Sequence, residues 1–315
     1  MQISGHIFLF FFNFAVVSYI YIPMNKLIFS FLIAVIQLFV FTPTLSGQIF
    51  YKISGNGLEK PSYLLGSHHL APLSVLDSIS SIQDALENVG QIVGEIDMTG
   101  DPIKNASVMQ SYMMAPADST LSAVLSKEDY DKVASKFMET VGIPLQSFDV
   151  LRPMVPITVY TIGIMSTTMP DFNPSEQIDT YFQNEGKQRG LKITPLEYIA
   201  EQAEILYCSL SIAEQAKELV DNIENTDELI KSSIELNENY LKGDLDGLYL
   251  SCLKENSHPE YFEKLTKERN LKWMQKLPSI MNEMPAFIVV GAAHLCGENG
   301  LINELKKEGF TVEPM

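Results

Sequence analysis

Four histidines follow residue 47 of this chain, and two of them share a local setting. His69 and His294 each stand three residues after a glycine, Gly66 and Gly291, which itself follows a short apolar run. A glycine at a strand end allows a tight turn or a close approach to a ligand. Functional side chains of α/β proteins gather just beyond such ends. These two GxxH segments could therefore place two imidazole groups at one site.

A carboxylate in a third apolar stretch could complete the set. Glu95 lies within residues 91–97, which read as a strand, and a charge buried there is costly unless it is paired or bound to metal. Two imidazoles and one carboxylate are a common ligand set for a catalytic divalent ion with an open water position. His69, Glu95 and His294 are thus predicted to hold zinc, manganese or cobalt, which would activate water for hydrolysis.

The residue pattern leaves several roles open. It does not separate a metal ligand from a general base, and Asp97, two residues beyond Glu95, could fill whichever role Glu95 leaves. His68 and His69 alternate faces if the strand continues, so only one should face the site, and the GxxH spacing selects His69. A single histidine at a strand end is more often a hydrogen-bonded structural residue, so that interpretation also stands.

The strands and helices expected from the sequence pattern, which must position these residues, indicate an α/β (α+β) fold. It has a central mixed sheet and flanking helices. One domain, 48–315, is expected, with a mainly helical insertion in its middle over residues 119–245. Ser126 and Ser211 are predicted to begin helices of this insertion. The other expected elements are strands at 48–53, 63–67, 91–97, 286–290 and 310–312, and helices at 75–86 and 300–308.

Charge is unevenly distributed along the 315 residues. Residues 1–47 contain one charged side chain, Lys26, whereas residues 48–315 contain 21 Lys and Arg against 39 Asp and Glu, a net charge of −18. Such an acidic chain repels phosphate backbones, which argues against nucleic acid as a partner. It also argues against a polybasic protein surface that binds membranes.

Residues 1–47 have the pattern of an export signal. The apolar runs 7–22 and 27–41 are each shorter than the roughly 20 residues of a spanning helix. From Met24, a short start, an apolar stretch and small residues at 42–47 predict a secretory signal peptide, with Met24 as the true start. The chain would then be periplasmic or extracellular. The alternative is a membrane anchor formed by an uncleaved segment.

Further motifs make the chain resemble the TraB/GumN family, whose animal relatives include the Tiki proteases. The resemblance covers about residues 48–315 and is most specific near the carboxyl end, from Val289 through His294 to Val312. The other matching segments are residues 63–72, 94–97, 120–122, 178–182, 196–202 and 268–270.

The resemblance implies an active centre of a metal-dependent, protease-like hydrolase formed by Gly66, His69, Glu95, Gly291 and His294. Arg269 would bind a substrate carboxylate or orient Glu95. The further motif positions are Asn270, Glu197, Gln202 and Asp179, for which surface ion pairs and helix caps are the competing interpretation. His68 departs from the family pattern, which usually has a small or apolar residue there.

The predicted function is a secreted or periplasmic metal-dependent hydrolase that acts on a peptide or protein substrate. Two alternatives remain. One is a non-catalytic protein that binds a peptide, metal or small ligand in the same cleft. The other is an esterase-like hydrolase that uses histidine as general base without a metal.

Amino-terminal sequencing of the mature protein tests the export prediction. Cleavage after the small residues at 42–47 should leave Gly47 or Gln48 as the first residue. A mature protein that still carries residues 27–41 would instead support the membrane anchor.

Overall fold

Six strands form one mixed sheet in the computed structural model, which describes residues 49–255 and 258–315. Their order across the sheet is β4-β3-β5-β2-β1-β6. The strands are β1 (Phe50–Gly55), β2 (Ser62–Ser67), β3 (Gln91–Gly94), β4 (Lys192–Pro195), β5 (Ala286–Gly291) and β6 (Phe310–Pro314).

The four strands from β4 to β2 run parallel, and β1 and β6 add an antiparallel edge. β5 lies between β3 and β2, and its residues from Ala286 to Val290 are all buried. A parallel strand covered on both faces has a continuous apolar run rather than alternation, which is the pattern of this segment. The predicted α/β fold with a mixed sheet is confirmed.

Fourteen α-helices surround the sheet within the described residues. One apolar core packs against the sheet, and a second lies among the helices between about residues 109 and 234. The helices are α1 (Ile82–Glu87), α2 (Pro102–Met113), α3 (Leu121–Val124), α4 (Lys127–Val141), α5 (Met154–Thr168), α6 (Ile178–Gln188), α7 (Ile199–Cys208), α8 (Ile212–Glu224), α9 (Thr226–Leu241), α10 (Leu245–Glu255), α11 (Pro259–Leu265), α12 (Lys267–Met274), α13 (Leu277–Glu283) and α14 (Leu301–Lys307).

Local signals placed several of these elements correctly. The Ser126 side chain accepts a hydrogen bond from Asp129 N at the start of α4, and Ser211 forms a capping box with Glu214 at α8. The predicted hairpin is formed by β1 and β2, and Gly309, with a φ of 93°, ends the turn between α14 and β6.

Three elements differ from the sequence-based expectation. The segment 75–86 is divided into a 3₁₀ helix (Leu73–Ser78) and α1, because the chain leaves helical geometry at Ile79, with φ −108° and ψ 82°. The strand predicted at 91–97 ends at Gly94, so Glu95 follows the strand rather than lying inside it. β4 lies within the helical region and was missed, since its four residues carry only a weak apolar pattern.

The predicted signal peptide and start at Met24 lie outside the described residues. Among the residues that the structure describes, no helix is both long and apolar enough to cross a membrane.

Candidate functional site

The carboxyl ends of three neighbouring parallel strands bring the predicted site residues to one edge of the sheet. Ser67, the last residue of β2, is in register with Gly291, the last of β5, and Gly94 of β3 is in register with Val289. Glu95 therefore leaves β3 beside Gly291, whose backbone N–H donates to Glu95 Oε1 at 2.9 Å. Parallel pairing thus explains why the two GxxH segments have matching positions.

Gly66 lets the two segments approach closely. A Cβ atom at this position would lie 3.0 Å from Ala292 Cα and 3.1 Å from both Ala292 Cβ and Leu295 Cδ2. At Gly291 a Cβ would meet only ordinary contacts, at 3.5 Å from Glu95 Oε1 and 3.6 Å from His294 Cδ2. The first glycine is therefore required by packing, and the second leaves space beside the carboxylate.

A cleft of about 420 Å³ opens at this edge of the sheet. His69, Glu95, Arg269 and His294, the residues predicted to act in catalysis, all line it. Side chains from α7, α10 and α11 form a largely apolar wall. Of the supporting residues, His68, Asp179, Gln202 and Gly291 also line the cleft, whereas Gly66, Asp97, Glu197 and Asn270 do not.

Arg269 of α12 is the centre of the polar network, and its side chain is only 6% exposed. Its Nη2 donates to Glu95 Oε2 at 2.5 Å and to Glu197 Oε1 at 2.6 Å, and its Nε donates to Glu197 Oε2 at 3.1 Å. Nη1 donates to the Leu265 carbonyl at 3.1 Å and to His294 Nε2 at 3.0 Å. The planar guanidinium thus uses its fork of donors to join two carboxylates to one imidazole.

Glu95 is held as a carboxylate. Burial alone would raise its pKa, but Arg269, His294 and the N–H of Gly291 outweigh that effect and lower the pKa to about 2. Gln202 Nε2 donates to Glu95 Oε2 at 2.9 Å. A carboxylate with so low a pKa is a weak base at neutral pH, so this network suits Glu95 to holding charge rather than taking a proton.

Glu197 is the second carboxylate that contacts the Arg269 guanidinium, and a backbone hydrogen bond to Glu95 positions it. Its N–H donates to the Glu95 carbonyl at 2.9 Å, one residue beyond the paired ends of β3 and β4. Burial raises the pKa of Glu197, while Arg269 and the N–H of Trp273 act to lower it. Trp273, which lies one helical turn after Arg269, also places its ring 4.7 Å from the guanidinium carbon.

The hydrogen bonds of His294 define its tautomer. Asn270 Nδ2 donates to the carbonyls of His294 and Asn299, so its Oδ1 faces His294 Nδ1 at 2.7 Å and accepts the ring N–H. Nε2 is then the unprotonated nitrogen and accepts from Arg269. Burial, opposed by Glu95 but reinforced by Arg269, lowers the pKa of His294 to about 3, so the ring is neutral.

His69 is held differently, on the exposed side of the cleft. Its Nδ1 lies 2.9 Å from Gln177 Oε1. Gln177 Nε2 donates to the His69 carbonyl at 3.3 Å, so the amide oxygen accepts from the ring and Nδ1 carries the proton. Nε2 of His69 is consequently the ring nitrogen without a hydrogen atom.

The remaining predicted residues fall into two groups. His68 and Asp179 line the inner part of the cleft, contrary to the expectation that only one of the adjacent histidines faces the site, because β2 ends at Ser67 and strand alternation stops there. Asp97 turns away, and its Oδ1 accepts from Thr99 N and Thr99 Oγ1 at 2.8 and 2.9 Å. Its expected position on the face of Glu95 required the strand to continue past Gly94.

Two atoms of the predicted metal site are already occupied by other contacts. Arg269 already lies between Glu95 Oε2 and His294 Nε2, the atoms that would bind the ion. Within the described residues, no group of three His, Cys, Asp or Glu side chains is arranged to hold a metal. These residues therefore do not fit a shared ion unless the guanidinium withdraws, and the divalent metal stays a prediction.

Two residues that contact the site were not predicted from the sequence. Trp273 is the only tryptophan of the chain and stands four residues after Arg269, a spacing that places both on one helix face. That spacing could have identified it. Gln177 carries no comparable signal, because a neutral amide before a helix has many ordinary roles.

Comparison with known proteins supports the family resemblance. A family model described as the TraB/PrgY/gumN family matches residues 49–314, nearly the whole chain. No curated protein and no solved structure matches the chain. The motif-based prediction of the family is confirmed.

Replacing Arg269 tests its central position. Arg269→Gln should lower the free energy of unfolding by about 3–5 kcal/mol, because it leaves partly buried Glu95 and buried Glu197 without their cation. Arg189→Gln is the matched control, since Arg189 pairs with Glu185 near the surface and should cost about 1 kcal/mol or less. Urea unfolding measures both, and equal losses would contradict the assignment.

The burial of His294 predicts a pH-dependent stability. A histidine whose pKa is about 3 when folded and about 6.5 when unfolded contributes fully above pH 6.5 and loses that contribution as the pH falls toward 3. Wild-type stability should therefore fall between pH 6.5 and 5, and His294→Gln should reduce the slope by up to about 1.4 kcal/mol per pH unit.

Two measurements check this prediction. Urea unfolding at several pH values gives the slopes, and parallel slopes for wild type and variant would contradict it. NMR titration of the wild-type ring provides a readout that does not depend on the variant folding. The His294 ring signals should show no protonation above pH 5.

Proposed function

We propose that this chain, which belongs to the TraB/PrgY/gumN family, is a hydrolase that cleaves peptide bonds in the cleft beyond β2, β3 and β5. The observation that carries the proposal is that one cleft contains two kinds of polar group on its two sides. The oriented imidazole of His69 lies on the exposed side, and the fixed charge network of Glu95, Arg269 and Glu197 lies on the inner side. The exported location predicted from residues 1–47 is part of the same proposal.

In this proposal His69 is the general base. Gln177 fixes the proton on Nδ1, so Nε2 can take a proton from water as its oxygen attacks the carbonyl carbon. The protonated ring then gives that proton to the amine nitrogen as the C–N bond breaks. Glu95 and His294 are unsuited to that task, because their pKa values of about 2 and 3 make them weak bases. Their role is to hold Arg269 and shape the inner wall.

The metal-dependent form of the same activity remains the rival mechanism. It rests on the paired GxxH segments, and it requires Arg269 to leave the two ligand atoms that it now contacts. A third possibility, binding without catalysis, is favoured by one observation. Glu95, Arg269 and His294 satisfy one another's hydrogen bonds in a buried network, as residues of a rigid binding wall do.

The test is peptide hydrolysis by the purified chain, followed by mass spectrometry across a mixed peptide library. His69→Ala should lower the rate by about 10²- to 10⁴-fold, the usual contribution of a general base. His258→Ala, at the start of α11 and outside the cleft lining, is the matched control and should keep the wild-type rate.

Chelation separates the alternatives. Hydrolysis that survives a chelator supports the metal-free mechanism. Hydrolysis that is lost and then restored by Mn²⁺, Co²⁺ or Zn²⁺ would overturn it in favour of the metal-dependent enzyme. Peptide binding without turnover would overturn the hydrolase and support the binding protein.

A further inference from the structure

Three neighbouring polar groups in the inner part of the cleft have no role in the mechanism above. Ser67 is the last residue of β2, His68 follows it, and Asp179 lies in the first turn of α6. Their atoms Ser67 Oγ, His68 Nε2 and Asp179 Oδ2 are buried and have no hydrogen-bond partner. All three residues line the cleft. Buried polar atoms without partners are uncommon because each loses its hydrogen bonds to water, so three in one cleft indicate a ligand site.

The surrounding side chains do not supply the missing partners. Tyr240 packs its ring 5.2 Å from that of His68, but its hydroxyl donates to the Gly66 carbonyl at 2.9 Å. The Ser67 hydroxyl lies near enough to Asp179 to lower the pKa of that carboxyl, yet the two groups form no well-aligned hydrogen bond. The three residues thus line one cleft, and each has a buried polar atom without a hydrogen-bond partner.

The chemistry of these three atoms favours a ligand that donates hydrogen bonds. A neutral imidazole has one nitrogen with a lone pair, and in His68 this is Nε2 when the proton is on Nδ1. The Ser67 oxygen also has lone pairs. Burial raises the pKa of Asp179, with Glu95 acting in the same direction and His69 opposing it. A positive ligand would stabilise the ionised carboxylate.

The charge balance of the cleft favours a cation as well. Glu95 and Glu197 share the single guanidinium of Arg269. Among the described residues, Asp179 lines the same cleft and forms no ion pair. Carboxylates therefore outnumber the cations that face them, which attracts a positively charged group.

We propose that Ser67, His68 and Asp179 bind a primary ammonium group, so that the cleft selects a peptide by its free amine. A primary ammonium has three N–H donors, one for each acceptor of the site. The apolar wall, which includes Leu206, Phe262 and Leu265, would take the apolar side chain next to that amine. This inference deepens the proposed function and, as a statement about substrate, rests on it.

Binding of three small amides to the purified chain tests the site by isothermal titration calorimetry. Phenylalanine amide carries the α-amine, N-acetylphenylalanine amide lacks it, and Nα-acetyl-lysine amide offers only a side-chain amine. Phenylalanine amide should bind at least 10-fold more tightly than its acetylated form. The lysine derivative distinguishes an amino terminus from a lysine side chain as the source of the ammonium group.

Asp179→Asn should weaken the binding of phenylalanine amide at least 10-fold. Asp171→Asn is the matched control, because Asp171 is exposed in the loop before α6 and outside the cleft lining. If Asp179→Asn does not fold, Ser67→Ala decides instead, since it removes only the hydroxyl and should weaken binding about 3-fold or more.

Equal binding of the acetylated amide, or full binding by Asp179→Asn, would overturn the proposal. So would an Asp179-dependent site for Mn²⁺ alone with no affinity for the amine. Calorimetry requires no turnover, so the two proposals can fail separately. Amine binding without any hydrolysis removes the hydrolase, whereas hydrolysis of acetylated peptides without amine binding removes the ammonium site.

Discussion

A single buried cation organises this molecule's cleft. Arg269 contacts Glu95 beyond β3, Glu197 beyond β4 and His294 beyond β5, so one side chain of α12 joins three strand ends. Removing two carboxylates from water is costly, and the cost is offset only when the partner saturates them with well-aligned donors. The fork geometry of arginine meets that condition, and a lysine at this position could not.

The sheet supplies the other constraint. Parallel neighbours end at the same edge, so residues that follow β2, β3 and β5 meet without any long-range signal in the sequence. Gly66 is small enough to let the β2 end lie against Ala292. The edge therefore gathers one histidine that is exposed and one that is buried, and their surroundings give them different chemistry.

Much of this arrangement could be predicted from the sequence, for identifiable reasons. The two GxxH segments were informative because a glycine at a strand end has a geometric meaning, and the capping residues Ser126 and Ser211 act within one turn of helix. The family followed from the same motifs. These signals are local, because each depends on residues that are close together in the sequence.

What could not be predicted depends on contacts between distant segments. The family resemblance offered Arg269 as a residue that orients Glu95. Its contact with His294 was not predicted, because that contact follows from the packing of α12 against the strand ends, which sequence spacing does not indicate. The sequence-based ligand set assumed that these two groups were open to a metal. The end of β3 at Gly94, which also displaced Asp97, depends on the neighbouring turn rather than on the apolar run.

The strand order also governs when the cleft can exist. β5 is the central strand, yet it is drawn from residues 286–291, and it must enter between β2 and β3, which were synthesised some 200 residues earlier. Pairings of such large sequence separation are slow to form, because the entropy cost of closing a long loop opposes them. A chain whose synthesis has not reached residues 286–294 therefore has neither His294 nor the strand that joins β2 to β3. The cleft can therefore be assembled only after β5 and His294 have been synthesised, and a chain that stops before residue 286 lacks it.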